Sequence, residues 1–301
     1  MSVLLCLLAS CSIEMVSYDE FRKSGGERYI HLSDGYTNYE LSGDPAGSHT
    51  VVLLHGGTIP LCIWQPQMTA LHDSGFRILR YDQYGRGFSE RCRTAYSRDL
   101  YLRQLAELLD SLHITAPVSL IGPSFGGAVA VNFAAHYPQR VRSLLLISPV
   151  LNLLNSDSPL TGPIGILRKP VIGDLLYSLF IKRKIVSRGR KLVPGGIGSK
   201  CDSLFVRQFS CKGTRHAMLA QMRSDAYGDY RDASRKVGSL PIPVLLLRGK
   251  NDTEVTAVMI SQVRSDMPSC TFSEIDNSGH GATAESAEQF NRLMIEFLGS
   301  H

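Results

Sequence analysis

No P-loop, no G-x-G-x-x-G behind a strand-like run, no C-x-x-C and no H-E-x-x-H occurs in the sequence. These absences argue against a nucleotide cofactor and against a structural zinc, because each chemistry needs its residues at fixed spacings. The seven cysteines, Cys6, Cys11, Cys62, Cys92, Cys201, Cys211 and Cys270, fall at spacings that match no metal site. In a chain of 301 residues they read as small buried apolar side chains. In an exported protein Cys201 and Cys211 could pair. Excess charge is slight, at +5, and without a recognised binding module it indicates no nucleic-acid partner. Repeats and long low-complexity tracts are also missing. What remains, 44% hydrophobic and 20% charged residues, is the composition of an ordinary soluble globular protein.

A bilayer-spanning run is missing from the N-terminus. The opening MSVLLCLLASCS holds an apolar stretch only from Val3 to Ala9, far too short to cross a membrane. It suits the core of a signal peptide. Leu8-Ala9-Ser10-Cys11 also resembles a bacterial lipobox, whose cysteine becomes lipid-modified and N-terminal. No Lys or Arg precedes the run, whereas such signals normally start basic. Two expectations stand: a lipoprotein anchored in the cell envelope through Cys11, or a cytoplasmic chain with an apolar start.

From residue 28 onward, strand-like and helix-like segments alternate, which points to an α/β fold with a mostly parallel sheet. HTVVLLHGG, FRILRYDQYGRGFS, PVSLIG, VRSLLLISPV and PVLLLRG are short apolar runs of the kind that form buried strands. In RDLYLRQLAELLDSLH, residues 98–113, Leu102, Leu105, Leu109 and Leu112 recur at three- and four-residue steps, which predicts a helix. Alternation stops between 151 and 238, where SPLTGPIGILRKP and VPGGIG are turn-rich. The expected division is an N-terminal segment 1–27, a core made of 28–150 and 239–301, and an insertion 151–238.

The candidate chemistry lies in LIGPSFGGAVAV. Gly122, Ser124 and Gly126 form G-x-S-x-G between a predicted strand and a predicted helix. That context is what a nucleophile elbow requires: a sharp turn exposes one hydroxyl, and glycines permit close strand–helix approach. A serine hydroxyl also needs a base, and the base an orienting carboxylate. Downstream, Asp252 follows the apolar strand of LLLRGKND, and His280 sits in the Gly-flanked loop SGHG before the last helix. Asp276 and Glu274 lie too near His280 in sequence to be the usual acid.

With HGG at 55–57, DQYGRGFS at 82–89, GPSFGG at 122–127, GKND at 249–252 and SGHG at 278–281 in order, the chain resembles the α/β-hydrolase superfamily over residues 28–298. The resemblance implies a mostly parallel eight-stranded sheet with helices on both faces and a helical cap insertion. It implies Ser124 as nucleophile, His280 as general base and acid, and Asp252 as orienting carboxylate. For the oxyanion hole it implies the backbone N–H of Phe125 and that of Gly57, with Thr58 the runner-up. His55 and the DQYGRGFS loop are read as structural, and the implied reaction needs neither metal nor cofactor.

Trp64, Thr58 and Leu151 are candidate pocket residues, and the apolar side chains of the insertion suit an acyl chain or simply its own core. The basic residues Lys182, Arg183, Lys184, Arg188, Arg190 and Lys191 fit a solvated face, an anionic membrane surface or an acidic partner. The leading expectation is a carboxylic-ester hydrolase acting on an acylglycerol, lysolipid or other medium acyl ester. The alternatives are a C–C bond hydrolase of ring-fission dienoates, an esterase for a carrier-bound acyl ester, and a binding protein that uses the fold without catalysis. Phe125 and the basic insertion argue against a proline-type aminopeptidase. Ser124 argues against dehalogenases and epoxide hydrolases of this fold, which use Asp.

Overall fold

The computed structural model describes residues 15–25, 28–44, 49–192 and 198–301. Eight strands form one sheet in the order β1-β2-β4-β3-β5-β6-β7-β8. They are β1 Tyr29–Leu32, β2 Gly35–Ser42, β3 Thr50–Leu54, β4 Arg77–Tyr81, β5 Val118–Pro123, β6 Val141–Ile147, β7 Val244–Gly249 and β8 Thr271–Ile275. Only β1 and β2 run antiparallel to their neighbours, and the rest pair in parallel.

The two-residue period of a strand explains how so apolar a sheet is buried on both faces. Val52, Leu54, Leu120, Leu144, Leu146 and Leu246 join one core cluster, and their chain neighbours Val51, Leu53, Ile121, Leu145, Ile147, Leu245 and Leu247 join the other. The helices Arg98–Ser111 and Phe125–His136 cover the first face, and Gln65–Asp73 and Ala287–Gly299 the second. The helix read over 98–113 stops at Ser111, because His113 turns to φ +54.

Between β6 and β7 the described residues contain no strand, only helices such as Thr161–Leu167, Ile172–Leu176, Lys182–Leu192, Gly198–Arg207, Thr214–Arg223 and Arg231–Gly238. This insertion is fused to the core. Phe205, Phe209, Met218 and Leu219 share one apolar cluster with Trp64 and Met68. A disulfide joins Cys62 to Cys201. The Cys201–Cys211 pairing that an exported protein could have made is not formed: Cys211 is a buried free thiol packed with Phe21 and Phe88. Cys201 finds its partner across 139 residues of sequence, which local spacing does not reveal.

The helix Tyr18–Lys23, capped by Ser17 with Glu20, places Phe21 against Phe88 at 4.8 Å between ring centroids. The last residues of the N-terminal segment thus pack on the core. Val3–Ala9 and Cys11 lie outside the described residues. No helix among the described residues is long and apolar enough to cross a membrane.

Candidate active site

The carboxyl ends of the parallel strands carry the candidate residues, as is general for open α/β sheets. β5 ends at Ser124, which has φ +53 and ψ −121, while the helix starting at Phe125 begins immediately behind it. A non-glycine residue holds such a conformation only where neighbours dictate it. Here Ser124 N–H donates to Ile147 O at 2.9 Å, and Ser124 O accepts from Gly127 and Val150 N–H, each at 3.1 Å. A Cβ at Gly122 would run into the Gly126 backbone, and one at Gly126 into Leu54 O. The glycines therefore let strand, elbow and helix close on one another.

Asp252 follows β7 with its side chain fully buried. Its Oδ1 accepts the N–H groups of Glu254 at 2.8 Å and Val255 at 3.0 Å, and its Oδ2 bonds His280 Nδ1 at 2.9 Å. Burial pushes this carboxyl upward, but the bond and charge of His280, the Ser148 hydroxyl and the Val255 N–H outweigh it and hold it below its ordinary value. The loop bearing His280 rests on the end of β7, where a Cβ at Gly249 would strike Gly279 O. Glu285 fastens that loop from below by accepting Gly279 N–H at 2.5 Å. Arg248 braces the acid turn, donating to Asp252 O at 2.9 Å and to Val255 O at 3.1 Å.

The acid–base pair is thus assembled. Among the described residues no hydrogen bond joins Ser124 Oγ to His280. The nearest carboxylate to His280 Nε2 is Glu254, its Oε2 3.9 Å away. Such contacts are often loose without substrate and tighten when it binds.

The loop after β3 is held carbonyl by carbonyl. Gln83 N–H donates to His55 Nε2 at 2.9 Å, so the ring proton sits on Nδ1, which bonds Gly56 O at 2.6 Å. Burial lowers the His55 pKa to about 3 and keeps the ring neutral. Arg86 Nε donates to Gly57 O at 2.6 Å, and Gln208 Nε2 to Thr58 O at 3.1 Å. In a trans peptide the C=O and the following N–H point opposite ways. Pinning the carbonyls of Gly56 and Gly57 therefore turns the N–H groups of Gly57 and Thr58 away from His55 and Arg86. Gly56 faces Ser124, since a Cβ there would lie 3.6 Å from the Ser124 Cβ. Phe125 N–H, in the first turn of its helix, has no intrahelical acceptor.

Two of the expected pocket residues have these surroundings. Trp64 is fully buried in the core cluster of the second face. Leu151 lines a cavity of about 210 Å³ whose other walls include Asn152, Asp157, Arg231 and Asp266, but neither Ser124 nor His280. An apolar side chain reads alike in a core and in a pocket, so sequence alone did not separate these two settings.

Three further residues stand at the site: Arg86, read from sequence only as part of a structural loop, and Glu254 and Tyr227, which no motif marked. Arg86 is buried and has no carboxylate within 4 Å among the described residues; it bonds Gly57 O, Gly85 O and Gln221 of the insertion. Glu254 faces the imidazole. Tyr227 packs its ring 5.2 Å from that of Phe125 and aims its hydroxyl at Gly57, where any Cβ would collide with it. Burial raises the Tyr227 pKa, so the phenol stays protonated and can donate. Tyr227→Phe is expected to lower turnover of a p-nitrophenyl ester by about a hundredfold with KM unchanged. A change in melting temperature alone would reduce Tyr227 to a packing role.

The Alpha/beta hydrolase family model matches residues 51–293. The chain belongs to the alpha/beta hydrolase family. Relatives in this family include the 2-hydroxy-6-oxononadienedioate/2-hydroxy-6-oxononatrienedioate hydrolase of Cupriavidus pinatubonensis, 27% identical over 92% of this chain and 97% of that protein. The hydrolase of the same name from Klebsiella pneumoniae is 26% identical over 94% of this chain and 99% of its own. Among solved structures, the enol-lactonase from Burkholderia xenovorans LB400 superposes with a TM-score of 0.72 at 22% identity, covering 90% of this chain and all of that one, a likeness of fold.

Proposed function

We propose that this α/β hydrolase cleaves the carbon–carbon bond beside a ketone in an anionic oxo-dienoate, with Ser124, His280 and Asp252 as its triad. The observation that carries the reading is the extent of the match to the C–C hydrolases: it covers 92% of this chain and 97% of the Cupriavidus relative, so it spans core and insertion together. The reading replaces the ester hydrolase as the leading expectation and retains the serine chemistry. Arg86 adds physical support. A buried cation with no carboxylate within 4 Å among the described residues, bonded to the loop that faces Ser124, favours a substrate bearing negative charge.

In the proposed reaction Ser124 Oγ adds to the ketone carbon while its proton passes to His280 Nε2. The oxyanion is met by the N–H groups of Gly57 and Phe125. Collapse breaks the bond between the former ketone carbon and its α carbon. The electron pair stays on the α carbon, which His280 protonates. That carbon can leave only because the substrate, in its keto form, spreads the charge through the conjugated carbonyl. Water then attacks the acyl-serine, giving its proton to His280, and the acyl part departs as a carboxylate.

The test is a competition of substrates: a 2-hydroxy-6-oxo-dienoate followed by loss of its absorbance, beside a chain-length series of p-nitrophenyl esters. The dienoate is expected to show a kcat/KM about a hundredfold or more above the best ester. Serine-dependent ester turnover with an inert dienoate would return the assignment to an esterase.

A further inference from the structure

Six of the eight large hydrophobic side chains exposed among the described residues fall in one stretch of the insertion: Ile166, Val171, Ile172, Leu175, Leu179 and Phe180. The stretch is built, not frayed. Val171 is 79% exposed at φ +64, a conformation costly for a β-branched residue. It is fixed by Gly173 N–H on Lys169 O at 2.9 Å and Leu175 N–H on Val171 O at 2.9 Å. A Cβ at Gly173 would strike Leu167 O, so the turn packs tightly on the preceding helix. Ile172 and Leu175 lie on the helix Ile172–Leu176 and Leu179 on the π-helical turn that follows it, and all three are exposed. The neighbouring Tyr177 points inward, its hydroxyl on Met218 Sδ at 2.9 Å.

Charge accompanies this apolar face, and all but one of its charged residues are basic. Lys169 is exposed beside the tip, and Arg183 and Lys184 are exposed just past Phe180, with Arg188, Arg190 and Lys191 following in sequence. Asp174 is the sole acid between Asp157 and Asp202, and it is turned to Arg223 at 2.6 Å. An apolar ridge edged by cations matches the acyl–headgroup boundary of an anionic bilayer, where the ridge buries in hydrocarbon and the cations meet phosphates. A second copy of the chain would set these cations against themselves.

We propose that the 166–184 face of the insertion docks on an anionic lipid surface. The test is flotation of the full chain with vesicles of phosphatidylcholine alone or mixed with phosphatidylglycerol, with hydrolysis of a soluble substrate as the folding control. The wild type is expected to float with the mixed vesicles only. The double variant Leu175→Asp, Leu179→Asp should lose binding while keeping its activity, and Lys182→Gln with Lys184→Gln should weaken partition by about fivefold per cation at low salt. Phe180→Trp should be quenched by brominated lipid, separating insertion here from contact through the N-terminus. Flotation untouched by the Leu175 and Leu179 changes, no flotation at all, or dimerisation abolished by those changes would each overturn the proposal.

Discussion

Ser124→Ala is expected to lower turnover about a million-fold while leaving KM nearly unchanged, with residual catalysis of about a thousandfold over water surviving through the oxyanion donors. The prediction is sharp because the elbow backbone does not depend on the hydroxyl. It is fixed by Ser124 N–H on Ile147 O and by two N–H groups on Ser124 O, all of which alanine retains. The Ala variant should therefore melt close to the wild type, and loss of activity cannot be laid to unfolding. Ser124→Gly separates strain from chemistry. It removes the Cβ at φ +53 and should be equally inactive, yet more stable by about 1 kcal/mol. An Ala variant retaining more than a hundredth of wild-type turnover would place the nucleophile elsewhere. A fluorophosphonate probe that labels the wild type but not the variant would fix it at Ser124.

Much of this architecture was legible because it rests on local chemistry. Strands buried on both faces must be continuous apolar runs, so PVSLIG and PVLLLRG announce β5 and β7. Gly122 and Gly126 announce a crowded turn, because a Cβ at either would strike backbone. The order of Ser124, Asp252 and His280 was read through the resemblance to α/β hydrolases, and the parallel sheet brings the ends of β5, β7 and β8 that carry them to one edge. What stayed hidden depends on contacts between residues far apart in the chain. Arg86 read as part of a turn, yet it clamps Gly57 and reaches Gln221 in the insertion. Tyr227 lies in an irregular segment with no period to mark it, and becomes notable only because folding sets it against Gly57 and Phe125. Cys201 finds Cys62 rather than the nearer Cys211 for the same reason. For Leu151 and Trp64 the limit is different: their apolarity was legible, but apolarity does not say which cavity, or whether any cavity, a side chain meets.

Asp252→Asn should lower kcat about ten-thousand-fold, and the hydrogen-bond pattern says why. Asp252 Oδ1 faces two N–H donors, from Glu254 and Val255, so an asparagine would keep its carbonyl oxygen there. Its amide NH2 would then face His280 Nδ1. The ring would have to accept at Nδ1 and carry its proton on Nε2, the nitrogen that must take the proton from Ser124. The base is lost through its tautomer while the loop stays folded. Stability supplies an independent reading. The folded state holds the Asp252 carboxyl below its ordinary value, so it contributes stability that is complete above the unfolded pKa and is lost as pH falls through the lowered one. Melting temperature against pH should accordingly lose part of its acid-side slope in Asp252→Asn. Glu254 stands on the other side of the ring, its carboxylate 3.9 Å from His280 Nε2. Glu254 cannot take over that role from the Nε2 side, so turnover within tenfold of wild type would mean that the tautomer set at Nδ1 does not limit the reaction. A collapse of activity would leave Glu254 as a charge beside the imidazole and Asp252 as the one carboxylate that sets which nitrogen carries the proton.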